Sequence, residues 1–566
     1  MPTLFRTLAE LGEKLESTAK RKAMVSLVAS FILELEDNEI EPAISMLMGR
    51  AFPKWDQRVL EVSWATLSSV IRKMTNMEIN AFSQAFSKTG DVGDAIRIIF
   101  EKSKLIKQAT LLRKPLTITE VQRTFKAIAK TTGPGSRQKK ERLIGTLFHS
   151  ATPYETKYLV KVLIGEMRIG FHEGLMELAV AEAFKIPLDI VQTASMLIGD
   201  IGEVATIAKA NGKGGLQKLG IIVFRPTKPM LAQRATNFNE IMKEHGGQTA
   251  LEYKLDGARI QIHKSGSIVK IFSRRLTEVT ESFPEIVKLI RNRIKANECV
   301  LEGEVIAVGK NGAPMLFQHL MRRFRRIHRI ENVSEEIPVK LYLFDVLYID
   351  GQSYMNESYD TRRRKLGRVA DSIPLTEQIV VQHVKAGEAF LKKAIEAGHE
   401  GLMAKKLDSS YTPGVRGKRW LKIKRILEPL DLAIVAAEYG YGRRHGWLSD
   451  YYLAARDKES GELLTVGKTF KGLTDAEFVE MTHRLNKLAK RKEGHKVIVA
   501  PEIVVEVVYN EIQESSKYKC GMALRFARIS RIRDDKSPME VDSIQRVREI
   551  YERQFEKKAR LHRTKR

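Results

Sequence analysis

The sequence predicts a multidomain chain: an all-helical first region, a mixed α/β middle, and a small β-barrel of the oligonucleotide-binding (OB) type at the end. Three observations carry this. The 566 residues are too many for a single core, so roughly three domains are expected. Apolar residues recur at helical spacing up to about residue 220, after which short alternating or wholly apolar runs take over. Gly-rich NGKGG (211–215) and the prolines of FRPTKPMLAQ (224–233) punctuate the change.

In the first region, 1–220, Met24, Leu27, Val28, Phe31, Ile32 and Leu35 share one helical face. Thr117 and Glu120 form a capping pattern ahead of Val121, Phe125 and Ile128. No short period repeats, which favours a globular bundle over a solenoid. In the middle, 221–428, the runs ARIQIH, SIVKIF, CVLEGEVIAV, VKLYLFDVLYI, GLMAKK and RWLKIKR read as strands, with helices over 283–295 and 386–397. Glu428-Pro429 closes it. The last region, 429–566, offers LAIVAAEYG, YYLAARD, LLTVGKTF, EIVVEVVYNEI and ARISRIR as barrel strands, and a basic tail, EKKARLHRTKR, expected to fray.

Composition narrows the function classes. With 43% hydrophobic residues the chain can bury large cores and is not a disordered protein. A net charge of +27, from 96 Lys+Arg against 69 Asp+Glu, exceeds what solubility needs and points to a polyanion such as nucleic acid. A lysine-rich solvated surface explains only part of it. Two cysteines, Cys299 and Cys520, exclude a disulfide framework and a four-cysteine zinc module. No apolar run reaches membrane-spanning length, and the amphipathic start contains three glutamates and no cleavage-like site. The expectation is a soluble, intracellular protein.

The chemistry centres on EYKLDGAR (252–259), where Lys254 precedes Asp256-Gly257 in a strand that otherwise reads as buried. A lysine is seldom buried without reason, and a glycine weakens a strand unless backbone or ligand must come close. Lys-x-Asp-Gly alone is a weak signal, occurring by accident in a chain this long roughly one time in eight. Its sequel is not weak: SRR (273–275), EGE (302–304), LFDVLY (343–348), EGLMAK (400–405), WLKIK (420–424) and RDDK (533–536) follow in order.

In that order of motifs the chain resembles the ATP-dependent DNA ligases, specifically the replicative type of archaea and eukaryotes. The likeness covers essentially the whole chain, because GPGSRQKKERL (133–143), EMRIGF (166–171) and GDIGEVA (199–205) look like the family's helical DNA-binding domain. The resemblance implies an adenylation (nucleotidyltransferase) middle domain, an OB-fold last domain, ATP with Mg²⁺ (Mn²⁺ as a substitute), and three phosphoryl transfers through a lysyl-AMP. It implies Lys254 as the nucleophile. Glu252 would meet the exocyclic edge of adenine and Phe344 would stack on the base. Arg259 and Arg274 have forks suited to phosphate oxygens. Arg416, Lys422 and Lys424 complete the nucleotide pocket. Glu304 and Glu400 would hold the metal, Glu304 also contacting the nucleotide, with Glu302 as the competitor to Glu304. Arg533 and Lys536 would orient pyrophosphate and then swing away. Arg137, Lys139, Lys140 and Arg168, with amides near Gly133, Gly135, Gly170 and Gly202, would grip DNA phosphates.

A lysine of ordinary pKa, about 10.4, is no nucleophile at neutral pH. Burial and the cations Lys422, Lys424, Arg274 and Mg²⁺ are expected to favour its neutral form. Each assignment has a plainer competitor. Paired glutamates in a strand often form a solvated face, Phe344 in an apolar strand is often plain core, and RRFRRIHR (322–329) is often a solvated helix face. His263 and His445 have no companion at metal-ligand spacing, and GKGG (212–215) lacks the Lys-Ser/Thr of a P-loop.

RNA ligases and RNA-capping guanylyltransferases share the Lys-x-Asp-Gly chemistry but do not explain the helical first domain. An NAD-dependent ligase is disfavoured by the missing zinc cysteines, and a non-catalytic nucleic-acid scaffold by the presence of every motif lysine and carboxylate. Partners implied by the resemblance are nicked duplex DNA and a sliding clamp, the latter with only 99–112, IFEKSKLIKQATLL, as a weak candidate segment. A monomer is expected, cytoplasmic with the nucleoid, or nuclear in a eukaryotic source. Phosphate contacts release counterions. Affinity for nicked duplex should therefore fall steeply with salt and hardly vary with sequence. A fluorescence-anisotropy titration with a flat salt response would count against the DNA-binding assignment.

Overall fold

Periodic apolar residues through the first 217 positions fold as a layered bundle whose single core runs from Phe5 to Leu216 in this computed structural model. It describes residues 2–77, 80–103, 115–309, 312–324, 336–424 and 427–555. The expected helix around Met24–Leu35 is Arg21–Glu34. The expected capping box opens Ile118–Lys130: Thr117 Oγ1 accepts the Glu120 N–H at 3.2 Å and Glu120 Oε2 accepts the Thr117 N–H at 3.1 Å. NGKGG, expected to mark a boundary, holds a break: Gly212 has non-helical backbone (φ +59°), and two helices meet at that kink within Ile201–Gln217. Ile201, Val204, Ala205 and Ala208 are buried before the kink and Leu216 after it.

The middle domain is two antiparallel-rich sheets built from β1 (Leu231–Arg234), β2 (Thr249–Lys254), β3 (Ala258–Ser265), β4 (Ile268–Ser273), β5 (Glu298–Ala307), β6 (Val339–Ile349), β7 (Gln352–Ser353), β8 (Gln378–Val381), β9 (Gly401–Lys405) and β10 (Arg416–Lys424). One sheet runs β1-β10-β9-β2-β8 and the other β4-β3-β5-β6-β7. Helices Pro284–Arg293 and Val384–Glu396 match the two expected. A buried ion pair locks the domain. Arg362, on helix Tyr359–Val369, donates to both oxygens of Asp345 at 2.8 and 3.1 Å, and to the Glu357 and Ser409 carbonyls. Both side chains are fully buried.

The last domain is an antiparallel sheet of seven strands with a separate two-stranded ribbon. The expected runs appear at Leu430–Tyr439, Leu448–Arg456, Leu463–Thr469, Val504–Val508 and Arg528–Ile532. Helix Asp475–Lys487, hairpin 489–499 and helix Ile544–Phe555 are added to that pattern. The strand path does not close into a complete barrel among the described residues, and the sheets are those of an OB-fold. Residues 556–566, expected to fray, lie outside the described residues, as do 104–112 of the clamp candidate and 325–329 of RRFRRIHR.

The domains touch. Gln57 donates to the Leu276 carbonyl at 3.1 Å, Arg225 stacks over Trp55 while pairing with Glu203, and the Phe86 and Tyr441 rings stand 5.7 Å apart. No helix among the described residues is long and apolar enough to cross a membrane. Replacing Arg362 by Leu strands the Asp345 carboxylate in the core, which costs about 3–5 kcal/mol when a buried pair is broken. The middle domain's unfolding midpoint in urea should drop accordingly, and an unchanged midpoint would show that the pair contributes nothing net.

Candidate active site

Strand register brings distant charges to one level. Lys254, at the end of β2, pairs across with Gly401 on β9, and Gly401 with Lys424 on β10. Gly401 has φ +150°, and a Cβ there would lie 2.2 Å from the Ile423 carbonyl oxygen, so only glycine fits. Glu400 is thereby delivered to Lys254, whose Nζ lies 2.8 Å from Glu400 Oε2; Lys424 pairs with the same oxygen. From the facing sheet, β3 and β5 pair Arg259 with Glu304. Gly257 lies where a Cβ would meet the Val305 carbonyl oxygen at 2.4 Å, which is why glycine follows Asp256.

These groups line one cavity of about 1730 Å³ between the sheets. Glu252, Lys254, Arg259, Arg274, Glu304, Phe344, Glu400, Arg416, Lys422 and Lys424 all face it, so the sequence-predicted nucleotide residues converge. They do so in different ways. Arg274 and Arg416 are exposed at its rim. Arg259 spends its fork inside the protein, on the Met230 carbonyl at 2.6 Å, Glu302 Oε2 at 2.6 Å and the Tyr411 hydroxyl at 3.1 Å. Glu302 is buried by that pair and lies off the cavity, whereas Glu304 opens onto it. Phe344 is neither plain core nor free surface: it is 8% exposed, borders the cavity, and stands edge-on to Trp420 at 6.3 Å. His263 is core, with Nδ1 accepting from the Phe224 N–H and Nε2 facing Gln261.

The protonation states follow from these distances. Burial disfavours the Lys254 ammonium, but Glu400, Glu304 and Asp256 outweigh it and raise its pKa above the ordinary value. The expectation of a neutral amine, which counted Mg²⁺ among the cations, is corrected for the protein alone: Glu400, 2.8 Å away, holds the ammonium, with Glu304 and Asp256 adding to it. Glu304 is pushed up to about 7 by burial, with Glu400 and Asp256 adding to the effect and Lys254 and Arg259 opposing it. Glu400, despite its burial, is held well below the carboxylate range by Lys254 and Lys424. Lys422 is pushed down to about 8 by burial and by Lys424, Lys254, Arg416 and Arg274.

Two expectations change outside the cavity. Lys140 is not a free cation: it is 5% exposed and donates to the Leu60 carbonyl at 2.9 Å, with Glu61 at 3.5 Å. The Gly202 amide is likewise spent on Asp200 Oδ1. Arg137, Lys139 and Arg168 remain exposed, beside the Gly135 cap of helix Ser136–Ser150 in the first two cases. Arg533 and Lys536 are away from the cavity, bound to Asp431 at 3.0 and 2.6 Å. The last domain leans over the cavity with Lys471, Asn510, Arg525, Phe526 and Arg528 instead.

Sequence reasoning missed Lys405, Tyr359, Arg363 and Gln378. Lys405 is fully buried among the rings of Phe344, Tyr359 and Trp420 and lies 2.7 Å from Glu252 Oε2. Its place at the end of the EGLMAK motif was a signal; the i,i+4 spacing of Tyr359 and Arg363 was a faint one.

Comparisons with known proteins find one family along most of the chain. Residues 229–424 match the family model for an ATP dependent DNA ligase domain, residues 4–181 the DNA ligase N terminus, and residues 444–536 the ATP dependent DNA ligase C terminal region. The chain is 47% identical to DNA ligase 1 of Korarchaeum cryptofilum over 556 residues, covering 98% of this chain and 99% of that one. It is 42% identical to the DNA ligase of Thermococcus onnurineus over 559 residues, covering 98% and 99%. The solved structure Pmar-Lig_Pre shares the fold at a TM-score of 0.59 and 19% identity, over 93% of this chain and 99% of that one.

Lys422 is charged below pH 8 and neutral above it. Affinity for AMP should therefore hold near neutral pH and fall as the pH rises past about 8, by at most about tenfold per unit. Calorimetric titration reads this. Lys422→Arg, charged throughout, should flatten the profile; an unaltered decline would assign the titration to another group.

Proposed function

This chain belongs to the ATP-dependent DNA ligases, enzymes that seal nicks in duplex DNA, and on that premise we propose how its own residues divide the work. Lys254 Nζ attacks the α-phosphorus of ATP; a P–N bond forms, the α–β P–O bond breaks, and pyrophosphate leaves. The AMP passes next to the 5′-phosphate at the nick, freeing Lys254. The 3′-hydroxyl then attacks that phosphorus, the phosphodiester bond forms, and AMP departs. The observation that carries the reading is a lysine ammonium, 2.8 Å from Glu400, facing a cavity whose rim holds Arg274, Arg416 and Lys422.

Position supports the rest. Arg274, Arg416 and Lys422 suit phosphate oxygens, and Arg259, its guanidinium 5.4 Å from the Phe344 ring centre, suits the part of AMP nearest the base. Phe344 supplies the stacking face and Glu252 the acceptor for adenine's amino group. Lys424 shares Glu400 with Lys254, so it can take over that carboxylate when the lysine reacts.

Glu304 and Glu400 fit a hard divalent cation, magnesium or manganese. Burial pushes Glu304 up to about 7, with Glu400 and Asp256 adding to the effect, and Glu304 and Glu400 can share a cation with phosphate and water. When bound, such a cation would supply positive charge beside the α-phosphate and would draw on the carboxylates that hold the proton on Lys254.

Arg533 and Lys536 would exchange Asp431 for pyrophosphate as the last domain swings, since the carboxylate and the phosphate compete for the same cations. Arg137, Lys139 and Arg168 would grip the duplex backbone. A monomer acting in the cytoplasm with the nucleoid, and engaging a sliding clamp, follows from kinship alone.

Covalent labelling with α-³²P-ATP and Mg²⁺ tests the centre of this reading. Wild-type protein should retain label on a denaturing gel and lose it on adding nicked DNA. Lys254→Ala should show at least about 10³-fold less label, since the nucleophile is gone. Label persisting in Lys254→Ala would overturn the assignment.

A further inference from the structure

The base end of the cavity has a second layer that the three phosphoryl transfers do not require. Glu252 lines the cavity yet is 2% exposed, and four donors surround its carboxylate. Oε1 takes the Tyr359 hydroxyl, with Gln378 Nε2 and Arg363 Nη1 each at 3.4 Å. Oε2 takes Lys405 at 2.7 Å and, among the described residues, no other donor. An ionised carboxylate has about four acceptor positions. Oε1 is thus filled, and Oε2 keeps one position on the side of the cavity.

The order of the hydrogen bonds is fixed from outside inwards. Gln378 Nε2, only a donor, lies 2.7 Å from the Tyr359 oxygen, so the phenol must direct its own hydrogen to Glu252. Gln378 stands opposite Glu252 in the β2–β8 register, which sets this approach. Arg363 lies one helical turn from Tyr359 and is itself anchored 3.1 Å from Thr376 Oγ1. Tyr359 is fully buried, and its hydroxyl is kept protonated by burial and by the Glu252 charge.

A purine read here presents either an amino donor at its six position, as adenine does, or a carbonyl acceptor, as guanine does. An ionised carboxylate is an acceptor in any orientation, but one free to turn away from the carbonyl tolerates both purines. One pinned on its far oxygen by three donors stays in place and repels the carbonyl. We infer that Tyr359, backed by Gln378 and Arg363, is the positioning residue that sets nucleotide choice by holding Glu252 as a fixed acceptor for the amino group of adenine. The inference rests on the reading of Glu252 given above.

The test is kcat/KM for enzyme–nucleotide formation with ATP, with GTP, and with purine riboside triphosphate, which lacks the six-position amino group. Wild type should prefer ATP over both. Tyr359→Phe should cut the ATP preference over purine riboside triphosphate by about tenfold, the value of one well-placed hydrogen bond, while barely changing the rate with the analogue. Gln378→Met, on an edge strand and half-buried, should move the preference the same way by about threefold, and it covers the case in which Tyr359→Phe fails to fold. Equal losses for both nucleotides would assign Tyr359 a purely structural role and overturn the inference. Glu252→Gln separates the two levels. A preference that it leaves intact overturns the reading of Glu252; one that it abolishes while Tyr359→Phe and Gln378→Met change nothing overturns the inference alone.

Discussion

The ion pair between Lys254 and Glu400 is the constraint on which the site is built. An ammonium cannot stay charged at the edge of a core without a carboxylate partner, and this partner is available only because three strands bring residues 254, 400 and 424 level. Gly401 is the steric condition of that register, and Gly257 that of the close approach to Val305 on the facing sheet, each placed where a side chain would strike a carbonyl oxygen. Glu304 then completes a cluster in which carboxylates hold the lysine proton until their charge is engaged elsewhere.

Charge exchange recurs at larger scale. Arg533 and Lys536 are neutralised by Asp431, close to the domain boundary, while other cations of the last domain overhang the cavity. The RDDK cations therefore have an anionic partner within their own domain.

Local structure was largely legible. Helical spacing located Arg21–Glu34, Thr117 and Glu120 marked the start of Ile118–Lys130, and alternation found the strands that carry the motifs. Kinship with the ligases selected residues that do converge on one cavity. What failed were statements about environment. Lys140 looks like any other lysine of a basic loop, yet its Nζ is captured by the Leu60 carbonyl. Gln378 carries no local mark of its position behind Glu252, and Tyr359 only its faint i,i+4 spacing to Arg363.

By itself, the sequence indicated the order of the helical, mixed and strand-rich regions, and its ordered motifs marked the kinship that selected the charged residues which line the cavity. Only the tertiary structure decided which charges meet: that Glu302 is spent on Arg259 while Glu304 faces the cavity, that Lys254 rests protonated, and that RDDK lies away from the site. The physical reason is distance. Electrostatic energies and hydrogen bonds vary over a few ångströms between residues that are tens to hundreds of positions apart, and no local pattern records those separations.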